Sequence, residues 1–148
     1  MKTINKSVLI WYSPLEMYEL VTAVADYPQF LPWCDHTTVL SEHSHGMTAE
    51  IGIAMAGIRQ KFTTQNLHVP GEKVTVKLID GPFSILEGQW VFLPVGDGSQ
   101  RACKVAFQLQ YGFDNAALEA VVGPVFGPIA GSLVDAFVKR AGQKYGGT

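Results

Sequence analysis

The chain has 148 residues, 47% of them hydrophobic and 16% charged, with a formal charge of −2. That is enough apolar material for the full core of one domain, expected to span 1–148, and the charge balance excludes any whole-chain argument for a nucleic-acid footprint; no DNA partner is expected. Cys34 and Cys103 lie far apart without metal-ligand spacing, Met1 to Ile10 lacks a signal-type apolar stretch, and no apolar run approaches the roughly 20 residues of a membrane span. Reduced thiols and a soluble, cytoplasmic protein are therefore expected.

Thr3 to Trp11 reads as a first strand. A helix follows, with Ser13 as N-cap, Pro14 in the first turn and Glu16 completing a capping box. It is expected to reach about Ala25. Asp26 to Cys34 then carries four large apolar side chains between Pro28, which suits the start of a second short helix, and Pro32, which ends it. This segment serves either as a plug under the sheet edge or as the lid of a pocket.

From Asp35 the period becomes two. Strands are expected at Asp35 to Glu42, Met47 to Met55, Arg59 to Val69, Lys73 to Ile79, Ile85 to Leu93 and about Cys103 to Phe113. Phe62, Val74, Leu86, Trp90, Phe107 and Tyr111 fall on inward parities. Turn residues at His43 to Gly46, Gly57, Pro70-Gly71, Asp80 to Pro82 and Val95 to Ser99 separate them. Short turns imply antiparallel pairing. Asp114 to Tyr145 reads as one long helix, with Leu118, Val121, Val122, Val125, Phe126, Ile129, Leu133, Phe137 and Ala141 near one face. Gly123-Pro124 and Gly127-Pro128 interrupt it. Because an interior proline costs roughly 3 kcal/mol, a kink or break is expected there, with the cavity mouth at Val121 to Pro128. Gly146 to Thr148 reads as a frayed tail.

The expected class is thus α+β: a seven-stranded curved antiparallel sheet around a long C-terminal helix, with two short helices after the first strand. Phe, Trp and Tyr number 8, 3 and 5. Inward-facing aromatics can fill a core or wall a small-molecule pocket of roughly 300–1,000 Å³. The residues expected to line such a pocket are Phe30, Trp33, Phe62, Leu78, Phe83, Trp90, Phe107, Tyr111, Val122, Phe126, Ile129 and Phe137.

Several segments resemble the coenzyme Q-binding and ribosome association toxin branch of the START-like polyketide cyclase/dehydrase superfamily. They are Tyr12-Ser13 with Met17-Tyr18, the run Tyr27 to Cys34, Phe62-Thr63-Thr64, Asp80-Gly81-Pro82-Phe83, Gly88-x-Trp90-x-Phe92 and Val134-x-Ala136-Phe137. The resemblance covers nearly the whole chain. It implies the helix-grip fold and a hydrophobic cavity between sheet and long helix. It also implies two functions: a lipid chaperone binding ubiquinone or a similar isoprenoid in support of respiration, or a toxin that binds the large ribosomal subunit and inhibits translation initiation. A cyclase-like enzyme is a third, more distant alternative. Trp33-Cys34 is similar to the quinone-binding members and places lipid binding first. Pro124 and Pro128 depart from the family's long helix.

Catalytic chemistry finds little support. His43-x-His45 has no further ligand spaced to complete a metal site, Glu50 and Glu87 fall on polar parities, and Cys103 reads as an inert buried thiol. A non-enzymatic carrier without catalytic or metal residues is expected, with a quinone or lipid as its only bound group. Tyr111 is the candidate for a polar contact to it. Lys61, Lys73, Lys77, Arg101 and Lys104 are expected along the outer sheet face, for a ribosomal partner. The Phe30 to Trp33 segment is expected as a gate or an edge in peripheral contact with the inner membrane.

Overall fold

The computed structural model describes residues 1–146; Gly147 and Thr148, the end of the expected frayed tail, lie outside them. Seven strands form one antiparallel sheet: β1 (Lys2–Ile10), β2 (Cys34–His43), β3 (Gly46–Met55), β4 (Ile58–Val69), β5 (Lys73–Asp80), β6 (Phe83–Pro94) and β7 (Cys103–Phe113). Their spatial order is β1-β7-β6-β5-β4-β3-β2. The last strand thus pairs with the first, Ser7 opposite Ala106, while β2 forms the far edge. The path from one edge to the other runs through α1 (Pro14–Thr22), a single 3-10 turn at Val24–Asp26 and α2 (Tyr27–Phe30). The α+β helix-grip arrangement is the one the strand periodicity and the family resemblance imply.

The start of α1 forms as its sequence dictates. The Ser13 side chain accepts from the Glu16 N–H at 3.1 Å, and the Glu16 carboxylate accepts from the Ser13 N–H at 2.9 Å. The helix stops at Thr22, short of Ala25.

The long helix α3 (Ala116–Tyr145) runs 30 residues, capped by Asn115, whose side chain accepts from the Leu118 N–H at 2.9 Å. Both prolines lie inside it, and it is unbroken. This overturns the expected break near Gly123 to Pro128. Glycine before proline explains it: the pre-proline clash has a Cβ component, and Gly123 and Gly127 have no Cβ. Neither glycine is needed to make room for a neighbour, since a Cβ would meet only ordinary contacts. A Cβ at Gly127 would lie 3.5 Å from the Tyr111 hydroxyl, and one at Gly123 3.7 Å from the Phe113 ring.

Val122, Phe126, Ile129, Ala130, Val134, Phe137 and Ala141 form the buried stripe of α3. Val121 turns out to solvent, and Ala130 and Val134 replace it in the core. The Lys6 ammonium donates to the Gly131 carbonyl, and the Tyr145 hydroxyl donates to the Glu16 carbonyl at 3.1 Å, holding α3 to β1 and α1. By length and composition alone α3 is also apolar enough to cross a membrane, contrary to the sequence reading. Its stripe nonetheless supplies seven buried residues to the core.

Candidate functional site

The space between sheet and α3 is divided by its aromatic side chains. Phe83 packs against Phe62 at 5.8 Å, Phe113 at 5.1 Å and Phe126 at 4.9 Å, with Tyr111 4.8 Å from Phe126. This cluster fills one end solid. Towards the other end, Phe137 meets Tyr27, Phe30 and Trp90 at 5.5, 5.3 and 5.2 Å, and Trp90 lies against Phe107 at 4.3 Å. Between the two clusters lies a cavity of about 100 Å³. It is far smaller than the pocket expected from the sequence, because the rings occupy most of the space they enclose.

Of the twelve residues expected at its wall, Trp33, Phe62, Trp90, Phe107, Phe126, Ile129 and Phe137 line it. Phe83, Tyr111 and Val122 do not: they are buried in the solid end and in the helix stripe. Leu78 packs at the core margin, and its Cδ1 stands 3.4 Å from where a Gly81 Cβ would be. Phe30 lies outside, on a surface groove. The Tyr111 hydroxyl points to Gly127 on α3, so it is not the polar contact of the cavity.

That contact comes from two residues missed in the sequence. Thr64 and Asn66 are 1% and 6% exposed, the only buried polar side chains among the described residues, and both line the cavity. The Thr64 hydroxyl donates to Asn66 Oδ1 at 2.8 Å. Their signal was parity, since both share the inward face of β4 with Phe62. A register shift between Thr63 and Thr64 in the β4–β5 pairing sits beside them. Neither side chain ionises, so this pair has no acid or base to offer.

Outside the cavity a groove of about 800 Å³ runs between the α2 segment and α3, over Phe30, Met55, Pro128 and Ala136, with Lys139 and Arg140 on its rim. Leu31, Trp33 and Ile129 wall both groove and cavity. The opening therefore lies at Pro128 and beyond, towards the C-terminus of α3, rather than at Val121 to Pro128. The partition suits a gate. Within it Leu31 and Trp33 are 1% and 7% exposed, while Phe30 is half-buried and Pro32 exposed. Arg140 reaches across to Gln29 at 3.1 Å and lies over the Phe30 ring at 5.1 Å.

Titratable groups near the core are kept neutral. Burial pushes the Cys34 and Cys103 thiols up to about 11, and burial raises Tyr27, whose hydroxyl donates to the Val21 carbonyl. Of the cations expected on the outer sheet face, Arg101 instead pairs with Glu16 on α1 at 2.5 Å. Lys61 and Lys77 lie 3.8 and 4.0 Å from Glu50 and Glu87, while Lys73 and Lys104 are in no ion pair among the described residues.

A sheet gripping one long helix over an aromatic cavity defines a START-like protein. The chain belongs to the polyketide cyclase / dehydrase and lipid transport family, whose model matches residues 10–138. It is similar to the ribosome association toxin RatA of Pseudomonas aeruginosa, 39% identical over 97% of each chain. It is more distantly similar to the mitochondrial coenzyme Q-binding protein COQ10 homolog B of Xenopus laevis, 27% identical over 96% of this chain and 59% of that one. The Zhui aromatase/cyclase from Streptomyces sp. R1128 superposes with a TM-score of 0.80 over 99% of this chain and 98% of that one; at 13% identity this shows the fold alone.

Proposed function

We propose that this protein is a non-enzymatic ribosome association factor, binding the large ribosomal subunit and opposing subunit joining. The observation that carries this reading is the 39% identity with RatA along essentially the whole chain. It exceeds the 27% shared with the coenzyme Q-binding relative. The resemblance at Trp33-Cys34 puts carriage of a hydrophobic molecule first; the higher identity with RatA favours the ribosome reading. The exposed face of β5, β6 and β7 supports the reading, with Lys77, Lys104, Gln89 and Gln108 on it and Glu87 beside Lys77. Lysines and amides of this kind suit phosphate and base-edge contacts. A cytoplasmic location goes with such a partner. Among the described residues the cavity wall carries no carboxylate, histidine or lysine, which supports a binding role over a cyclase-like one.

The test is subunit joining in purified components. Stoichiometric protein is expected to hold large and small subunits apart at magnesium concentrations that otherwise join them. Unchanged joining would refute the reading.

A second reading, compatible with the first, is that the domain binds a hydrophobic molecule. The aromatic cavity, sharing its Leu31–Trp33–Ile129 wall with an open groove, favours it. Protein purified from cells is then expected to release a lipid or quinone into organic solvent.

A further inference from the structure

The cavity wall carries Thr64 and Asn66 among aliphatic and aromatic side chains; the Tyr27 hydroxyl there is taken by the Val21 carbonyl, and Trp33 and Trp90 bring indole N–H groups. Among the described residues, the hydrogen bond from the Thr64 hydroxyl occupies Asn66 Oδ1, and no protein atom accepts from Asn66 Nδ2. Turning the amide over would use one N–H on Thr64 and leave the other free. In either orientation the pair keeps an unused donor facing an aromatic cavity. A wholly apolar pair of the same shape would pack here with no polar group to satisfy. A donor held in such a place matches a ligand that brings the acceptor.

We propose that Asn66, oriented by Thr64, is a specificity-determining anchor for a compact neutral ligand group bearing a carbonyl or similar acceptor oxygen. The inference rests on the hydrophobic-ligand reading and deepens it by naming the chemistry selected. Size limits the group: about 100 Å³ is less than the roughly 150 Å³ that takes up benzene, so a chain end fits as the space stands and a small ring enters as the wall yields. Charge supports a neutral group. Among the described residues no cation lines the cavity to receive an acid; Lys139 and Arg140 stand on the groove instead, with Asp135. An apolar tail attached to the anchored group would leave past Leu31, Trp33 and Ile129 into that groove.

The geometry also separates this donor from the tyrosines near the helix. Tyr27 spends its hydroxyl on the Val21 carbonyl, and Tyr111 points to Gly127 and is absent from the wall. Asn66 is thus the amide donor the cavity offers, beside the indole N–H groups of Trp33 and Trp90. It lies on β4, opposite Met47 and Val76 in the centre of the sheet, so its position is fixed by pairing on both sides.

The experiment titrates the full chain with cyclohexanone and with methylenecyclohexane, which differ by an oxygen in place of a CH₂ group. The same titrations are run on Asn66→Leu. The better hydration of the ketone is common to both proteins and cancels in the ratio of the two affinities. That ratio is expected to shift about tenfold against the ketone in the variant. Should Asn66→Leu fail to fold, the wild-type side-chain amide resonances of Asn66 provide the readout. They are expected to move with the ketone and not with the alkene. Binding of both rings with an unchanged ratio, or with no ketone-specific movement of the amide, overturns the anchor and leaves the hydrophobic-ligand reading standing. If neither ring binds while a longer lipid is recovered from the purified protein, the anchor again falls alone. Binding of nothing overturns both.

Discussion

Glu16 joins three parts of the molecule. Its carboxylate caps α1, takes two hydrogen bonds from Arg101 at 2.8 and 2.5 Å, and its backbone carbonyl receives Tyr145 from the end of α3. The Arg101 hydrogen bond holds its pKa down at about 2, from an ordinary value of 4.5. Because the folded value is the lower one, the contribution to stability is present above 4.5 and is lost as pH falls towards 2. Arg101→Ala is expected to lower the urea midpoint at pH 7 and to flatten the acid-side loss of stability. An acid limb as steep as in the wild type would contradict the assignment. His36 works with the opposite sign. Hydrogen bonds to Glu50 and Asp35 raise its pKa, so its contribution is complete below the ordinary value of 6.5 and is lost as pH rises through the folded value. Gly52 leaves room for it, since a Cβ there would lie 2.3 Å from the imidazole. Glu50→Gln is expected to lower the ring's titration midpoint in a proton NMR titration, and an unmoved midpoint would count against the bond.

At the scale of elements, the unbroken α3 turns two apparent helix breakers into a testable pairing. Pro124 leaves the Ala120 carbonyl without its i+4 donor, so Pro124→Ala is expected to raise stability by about 1–3 kcal/mol, read from urea midpoints. Gly127→Ala is expected to destabilise the wild type, because a Cβ before Pro128 restores the clash. In a Pro128→Ala background the same change is expected to stabilise, by about 1 kcal/mol. The predicted change of sign is a double-mutant coupling; additive effects would remove glycine–proline compensation as the reason the helix continues. The strands and the α1 cap were legible in the sequence because a period of two and a capping box are local signals. The continuity of α3 was not, because it depends on which residue precedes each proline and on what packs beside it. Seven of the twelve expected wall positions fell on the cavity, because inward parity is local. Where the rings meet and close the space around Phe83 and Tyr111 is a tertiary outcome. Asn66 shared the parity of Phe62 and was passed over as a polar residue on a strand.

For the whole molecule, one sheet wrapped on one long helix serves two readings from different surfaces. The ligand reading uses the interior between β4, β6 and α3, with Asn66 as its polar point. The ribosome reading uses the exterior, where the exposed strands carry Lys104 and a row of amides. The two are physically separable, so a variant that fills the cavity need not touch the outer face. The central claim is ribosome association, and sedimentation of the protein with purified large subunits tests it most directly. Contacts to RNA phosphates are strongest at low salt and weaken steeply as salt rises. The expected result is co-migration with the large subunit at low salt and release as salt is raised; protein that stays at the top of the gradient at low salt would contradict the account.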